Sequence, residues 1–303
     1  MAVGRLAIPV LIRAQRVAPA RYEDCPPLLA YQERKQGTPT LGGLFVLFVG
    51  IAVALAAGGL SHQDGWIVLG AVLAMGVVGL VDDGLKFRGV NARGLRMKPK
   101  LLMTFAVGAV VGLFSQSSRL PVGTASSLGW LWVPFAMVVL AGCAHAVNLA
   151  DGMDGLAAGC VAIALAVLGL LAVQATGSRA LVVWCASLSG ACLGFLWFNS
   201  FPAQVFLGDV GALGFGAALG TLGLLTRHAL CLLIIGGIFV AEALSVMLQV
   251  ASYKWRGRRR IFRVAPIHHH FHLGGISEPK LIVRFWIVGA MLGLLSLTRI
   301  ARP

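Results

Sequence analysis

Charge is what this sequence has least of. Of its 303 residues only 12% are Asp, Glu, Lys or Arg, about half the share usual in a soluble domain. With 58% hydrophobic residues the chain cannot bury its apolar side chains in one aqueous core, which excludes a soluble globular protein. Paired cysteine spacing is missing too. Five of the six cysteines fall inside apolar runs, so no disulfide framework or zinc site is expected and they read as small hydrophobes. No cleavable leader is expected either, because the one apolar run near the start, Ala7–Ile12, has no small-residue cleavage site behind it. The net charge of +14 does not mark a nucleic-acid binder, since the basic residues gather in alternate loops between apolar runs.

Those runs are what the sequence does have. Segments at 41–60, 66–81, 101–114, 129–147, 156–175, 180–198, 211–226, 229–250 and 281–298 are long enough, or nearly so, to cross a bilayer. Leu6–Ile12 reads as a truncated first helix. The expected fold is therefore all-α, a polytopic integral membrane protein of about ten transmembrane helices, with residues 1–303 forming a single transmembrane domain. Arg13, Arg16, Arg21, Arg34 and Lys35 precede the first full span. Lys86, Arg88, Arg93, Arg96, Lys98 and Lys100 lie between the second and third. Lys254, Arg256, Arg258, Arg259, Arg260, Arg263, Lys280 and Arg284 lie between or just inside the last two. By the positive-inside rule these three loops are cytoplasmic, which places the C terminus outside.

Acidic residues number only 11, and five of them stand at span ends that this orientation makes cytoplasmic. Asp82 and Asp83 end the second full span, Asp151 and Asp154 follow the fourth, and Asp209 precedes the seventh. Carboxylates wedged between spans are costly unless they face water, a cation or a polar ligand. In the stretch Asn148-Leu149-Ala150-Asp151-Gly152-Met153-Asp154-Gly155, the two aspartates would share one face if the segment were helical. Lys35, Lys98, Lys100 and the run His268-His269-His270 are placed on the same side. Hard oxygen ligands beside basic groups suit a magnesium ion and substrate phosphates. Blander readings exist: Asp82-Asp83 as a solvated helix end, Asp209 as an N-cap, and 148–155 as a polar turn. Three consecutive histidines do not readily converge on one metal. His62 and His145 read as interfacial histidines, and Glu242 as a buried helix–helix hydrogen bond.

Several stretches, in order along the chain, resemble one family. They are Gly37–Gly43, Val81-Asp82-Asp83, Asn148–Gly155, Gly194–Asn199, Pro202–Gly211 and Arg260–Phe271. Together they resemble the polyprenyl-phosphate N-acetylhexosamine-1-phosphate transferases. The run Pro266-Ile267-His268-His269-His270 is similar to the branch that acts on muramoyl-pentapeptide donors. Ala150, Gly84, Ala212 and His272 depart from the usual residues at their positions.

The resemblance implies ten transmembrane helices, both termini outside the cytoplasm, an active site at the cytoplasmic face, and a multi-pass location in the bacterial inner membrane. It implies transfer of a phospho-sugar-peptide from UDP-MurNAc-pentapeptide to undecaprenyl phosphate, giving lipid I and UMP with Mg2+ as cofactor. Membrane lipids would be its surroundings, nucleic acid would not be a partner, and a homodimer is compatible with it. On this chain Asp209 would be the magnesium ligand, with Asp82 and Asp83 completing the catalytic set and Asp82 acting as base or nucleophile. Lys35, Asn148, Asp151, Asp154 and Phe206 would line the nucleotide pocket, Phe206 by stacking on uracil, and Asn199 would be a further substrate-binding residue. Lys100, His268, His269 and His270 would meet the phosphates and the sugar-peptide. The alternatives are a UDP-GlcNAc-dependent transferase of the same family and, from a different class, a proton- or cation-coupled transporter. A transporter would hold its charges near mid-membrane, whereas these cluster at one face.

Overall fold

Backbone polar groups in lipid must be satisfied within their own segment, so apolar runs of this length fold as helices. The computed structural model describes residues 2–14, 31, 35, 37–87, 94–115 and 129–300, and no strand occurs among them. Arg16, Arg21, Arg34, Arg88 and Arg93, which entered the orientation argument, lie outside the described residues. The helices are α1 (Ala2–Ala14), α2 (Gly42–Ala56), α3 (Gln63–Phe87), α4 (Met97–Phe114), α5 (Trp132–Ala150), α6 (Leu156–Ala175), α7 (Arg179–Asn199), α8 (Gly208–Leu225), α9 (Leu232–Ile235), α10 (Gly237–Trp255), α11 (Ile267–His272) and α12 (Glu278–Ile300).

Seven of these, α3 to α8 and α12, are long and apolar enough to cross a membrane, which makes the chain a multi-pass membrane protein. Helix α2 is apolar but only 15 residues long. The expected span at 229–250 is broken. It consists of a four-residue helix that stops at Gly236 and a separate 19-residue helix beginning at Gly237. Adjacent glycines are a usual site for such an interruption, and counting apolar residues does not detect it. Polar side chains at Glu242, Ser245, Gln249, Ser252 and Lys254 also set α10 apart from the other long helices.

Helix α8 is the centre of the bundle. Every residue from Asp209 to Leu225 is buried, with α3 and α5 packed along it and α2 and α6 beside it. Lipid gives helices no hydrophobic reason to associate, so close packing of small residues has to hold them. Gly216 allows one such approach, since a Cβ there would lie 2.4 Å from Ala144 Cα in α5. At Gly79 in α3 a Cβ would meet Asp209 O at 2.3 Å. Apolar side chains on the outside, among them Phe48, Leu193 and Leu294, are exposed, as a lipid-facing surface requires. The close contact at Gly79 brings the end of α3 against the start of α8. It is at such helix ends that the scarce carboxylates stand.

Candidate active site

Gly208 opens α8 with φ at 72°, in the left-handed region that glycine enters without a steric penalty. A Cβ there would also crowd Thr40 O at 2.6 Å and Asp83 Oδ2 at 3.0 Å. The turn delivers Asp209 into the first turn of α8, where a carboxylate is favoured by the helix dipole. Asp82 and Asp83 arrive from the last turns of α3. The three carboxylates are buried, with one oxygen from each lying within 4.8 Å of the others.

Two lysines bind this cluster together. Lys86, one turn beyond Asp82, contacts Asp82 directly, Asp83 Oδ1 at 3.2 Å and Asp209 Oδ2 at 3.0 Å. Lys100 comes from the first turn of α4 and lies 2.6 Å from Asp209 Oδ2 and 3.5 Å from Asp82 Oδ1. Backbone and amide donors supply further bonds. Leu95 N–H donates to Asp82 Oδ1 at 2.9 Å, Val210 N–H to Asp83 Oδ2 at 3.2 Å, and Asn148 Nδ2 to Asp209 Oδ1 at 3.1 Å. The positive charge of Lys86 thus sits where the three carboxylates converge. Hard oxygen donors so grouped can hold a metal ion at that same point. Among the described residues this is the one group of side chains so arranged.

The stretch Asn148–Gly155 divides between a helix end and a turn. Helix α5 runs to Ala150, residues 151–155 turn, and α6 begins at Leu156. Asp151 and Asp154 therefore do not share a helical face and stand together in a turn. Asp154 is buried, with Oδ1 2.5 Å from Lys35 Nζ and Oδ2 accepting Ala203 N–H at 3.0 Å. Asp151 is half-buried at the turn. Glu278, at the start of α12, gathers three donors on Oε1: Tyr31 Oη at 2.6 Å, Lys35 Nζ at 2.6 Å and Asp154 N–H at 3.1 Å. Lys35 Nζ also lies 5.9 Å from the centre of the half-buried Phe206 ring. Asn199 is buried with both amide atoms engaged, accepting Gly155 N–H and donating to Val205 O. It ties the turn to the Pro202–Gly211 loop.

The histidines diverge. His268 and His269 are buried on α11, while His270 is half-buried. His268 Nδ1 lies 2.9 Å from Glu242 Oε2, and neither side chain has any exposure. Glu242 is thus buried and hydrogen-bonded between two helices, its partner being His268 on the short helix α11. Burial, reinforced by the neighbouring His268, His272 and Lys35, pushes the His269 imidazole down to about 2, so it is neutral at physiological pH. His270 turns towards the basic loop, its Nδ1 accepting Arg263 N–H at 3.1 Å and its ring centre 5.6 Å from that of Phe262.

Four contributors were not identified as site residues from the sequence. Lys86 counted only as a topology charge, although its spacing of four and three from Asp82 and Asp83 was a usable signal. Tyr31 and Glu278 carried no signal. His145, read as interfacial, faces the cluster, with Nε2 3.3 Å from Thr104 Oγ1 one turn beyond Lys100.

The model of glycosyl transferase family 4 matches residues 65–227, more than half of the chain and the part that carries all three clustered aspartates. The chain is 44% identical to the phospho-N-acetylmuramoyl-pentapeptide-transferase of Thermodesulfovibrio yellowstonii, across 87% of this chain and 80% of that protein. The protein of the same name from Citrifermentans bemidjiense is also 44% identical, across 88% and 80%. That of Solidesulfovibrio magneticus is 41% identical, across 89% and 82%. The chain belongs to the phospho-N-acetylmuramoyl-pentapeptide-transferases, within glycosyl transferase family 4. A transferase of this family works on a nucleotide-sugar-peptide and a lipid carrier. The aspartate–lysine cluster, buried among helix ends of a multi-pass bundle, is chemically suited to phosphate groups.

Proposed function

We propose that this site, at the cytoplasmic face of the bacterial inner membrane, takes UDP-MurNAc-pentapeptide and undecaprenyl phosphate as its substrates. The product is lipid I, a step of peptidoglycan synthesis. The observation that carries the reading is the convergence of Asp82, Asp83 and Asp209 with Lys86 and Lys100. Phosphoryl transfer asks a protein for positioning and charge stabilisation more than for covalent work, and this cluster offers both. An oxygen of the lipid phosphate attacks the sugar-linked phosphorus, the bond from that phosphorus to the UMP oxygen breaks, and UMP leaves with the electron pair.

Asp209, with Asp82 and Asp83, would hold Mg2+, which when bound supplies positive charge to the diphosphate and its leaving group. Lys86 and Lys100 would meet the phosphate oxygens of the substrates, from the end of α3 and the start of α4. Asp82 takes the residual proton of the lipid phosphate, its carboxylate held by Leu95 N–H. Asp83 fixes the start of α8 through Val210 N–H. Phe206 would offer its ring to uracil with Lys35 beside it, and Asn148, Asp151 and Asp154 would supply polar groups to the nucleotide. Asn199 holds the two loops of the nucleotide pocket together. His268 and His269 would serve the sugar-peptide from beneath the turn at Gly152, and His270 ties α11 to the basic loop through Arg263 N–H.

The test offers purified protein undecaprenyl phosphate with either UDP-MurNAc-pentapeptide or UDP-GlcNAc and follows UMP release. Release from the muramoyl-pentapeptide donor alone, abolished by a chelator and restored by magnesium, is the expected result. Preference for UDP-GlcNAc, or full activity without a divalent ion, would overturn the reading.

A further inference from the structure

Glu242 and His268 form a fully buried acid–imidazole pair outside the aspartate cluster. Placing a carboxylate and an imidazole where neither has any exposure is costly unless each is paired, and here the pairing uses only half of their capacity. Glu242 Oε2 lies 2.9 Å from His268 Nδ1 and also receives the His268 backbone N–H at 3.5 Å. A carboxylate oxygen accepts and cannot donate, so towards the Glu242 carboxylate Nδ1 is the atom that carries the hydrogen. The other ring nitrogen, Nε2, is buried without a hydrogen-bond partner. A buried polar atom left unpaired is destabilising and calls for an explanation.

The position of Nε2 supplies one. It faces Gly152 so closely that a Cβ there would lie 2.4 Å from it. Gly152 belongs to the turn whose flanks carry Asn148, bonded to Asp209, and Asp154, bonded to Lys35. The imidazole therefore stands at the junction between the aspartate cluster and the Lys35 pocket. The tautomer of a histidine is set by the hydrogen bond that its other nitrogen makes.

We propose that Glu242 is a positioning residue for His268. It holds Nδ1–H so that Nε2 presents a lone pair to a hydroxyl or amide N–H of the nucleotide-sugar-peptide donor. This inference rests on the reading of the α11 loop given under the proposed function. Glu242 touches no substrate, and all of its effect passes through the imidazole.

A double-mutant cycle tests it on the full-length protein in detergent, with steady-state kinetics for the muramoyl-pentapeptide donor and inhibition by UMP alone. Glu242→Gln keeps the shape but leaves the tautomer free. It is expected to lower kcat/KM about tenfold, mainly through KM, with the UMP inhibition constant unchanged. His268→Ala should lose at least as much, and the double variant no more than His268→Ala alone. Gly152→Ala approaches Nε2 from the other side; it should impair the wild type more than it impairs His268→Ala, and it decides the matter should Glu242→Gln fail to fold. Losses that multiply in the double variant, or a fully active Glu242→Gln beside an impaired His268→Ala, would sink the pairing and leave the loop reading intact. A fully active His268→Ala would sink both.

Discussion

Lys86 is the cation at the point where three buried carboxylates meet, so replacing it with methionine probes the cluster most directly. Its ammonium lies 3.2 Å from Asp83 and 3.0 Å from Asp209 and also contacts Asp82. With an effective dielectric near 20, each contact at such a distance has a gross Coulomb energy of about 5 kcal/mol. Desolvation of the ammonium cancels much of that, and removing one partner of a buried ion pair typically costs about 3–5 kcal/mol net. In chelator, Lys86→Met should therefore lower the apparent unfolding midpoint by roughly 6–10 °C, taking about 2 °C per kcal/mol for a chain of this size.

Magnesium should then restore more stability to the variant than it adds to the wild type. Stabilisation by a ligand grows as RT ln(1 + [L]/Kd), about 2.7 kcal/mol at a hundredfold excess over Kd. The wild-type site begins with Lys86 as a competitor for the same oxygens, so its Kd is weaker. Lys86→Arg, which keeps the charge, should resemble the wild type in chelator. The assay is thermal unfolding in detergent with and without excess magnesium, at matched scan rates. A Lys86→Met protein with the wild-type midpoint in chelator would refute the reasoning. So would a magnesium shift equal to that of the wild type, because the ion would then bind elsewhere.

Three further outcomes are expected. Asp209→Asn should fold and insert yet retain less than about a tenth of the transfer rate at saturating magnesium, a loss of about 1.4 kcal/mol in barrier or more, read from UMP release. His269 takes up its proton near 6.5 when unfolded but only at about 2 when folded. Stability should thus fall as pH drops below 6.5, by up to about 1.4 kcal/mol per pH unit, and His269→Asn should flatten that slope in unfolding measured between pH 7 and pH 5. Single cysteines at the exposed Ser61 and Ser277 should react with a membrane-impermeant thiol reagent from opposite sides of sealed vesicles, and labelling of both from one side would overturn the orientation.

The helices were legible because lipid leaves the backbone few other choices, and the aspartates because a carboxylate beside a membrane span needs a reason to be there. Lys86 stood equally in view, but a lysine in a cytoplasmic loop is already explained by the positive-inside rule, so its second use was hidden behind its first. The network around Lys35 was hidden for another reason. Its acceptors Asp154 and Glu278 are 119 and 243 residues away in sequence, and no local periodicity links positions so far apart. Glu242 reads from the sequence as a buried helix–helix hydrogen bond, but nothing local names its partner, His268 on α11, 26 residues away. In each case the missing information is which helix ends meet. That is set by close contacts such as Gly79 against Asp209 and Gly216 against Ala144, where the absence of a side chain lets two backbones touch. A glycine in a membrane sequence shows that some close approach is permitted, and only the packed bundle shows what approaches.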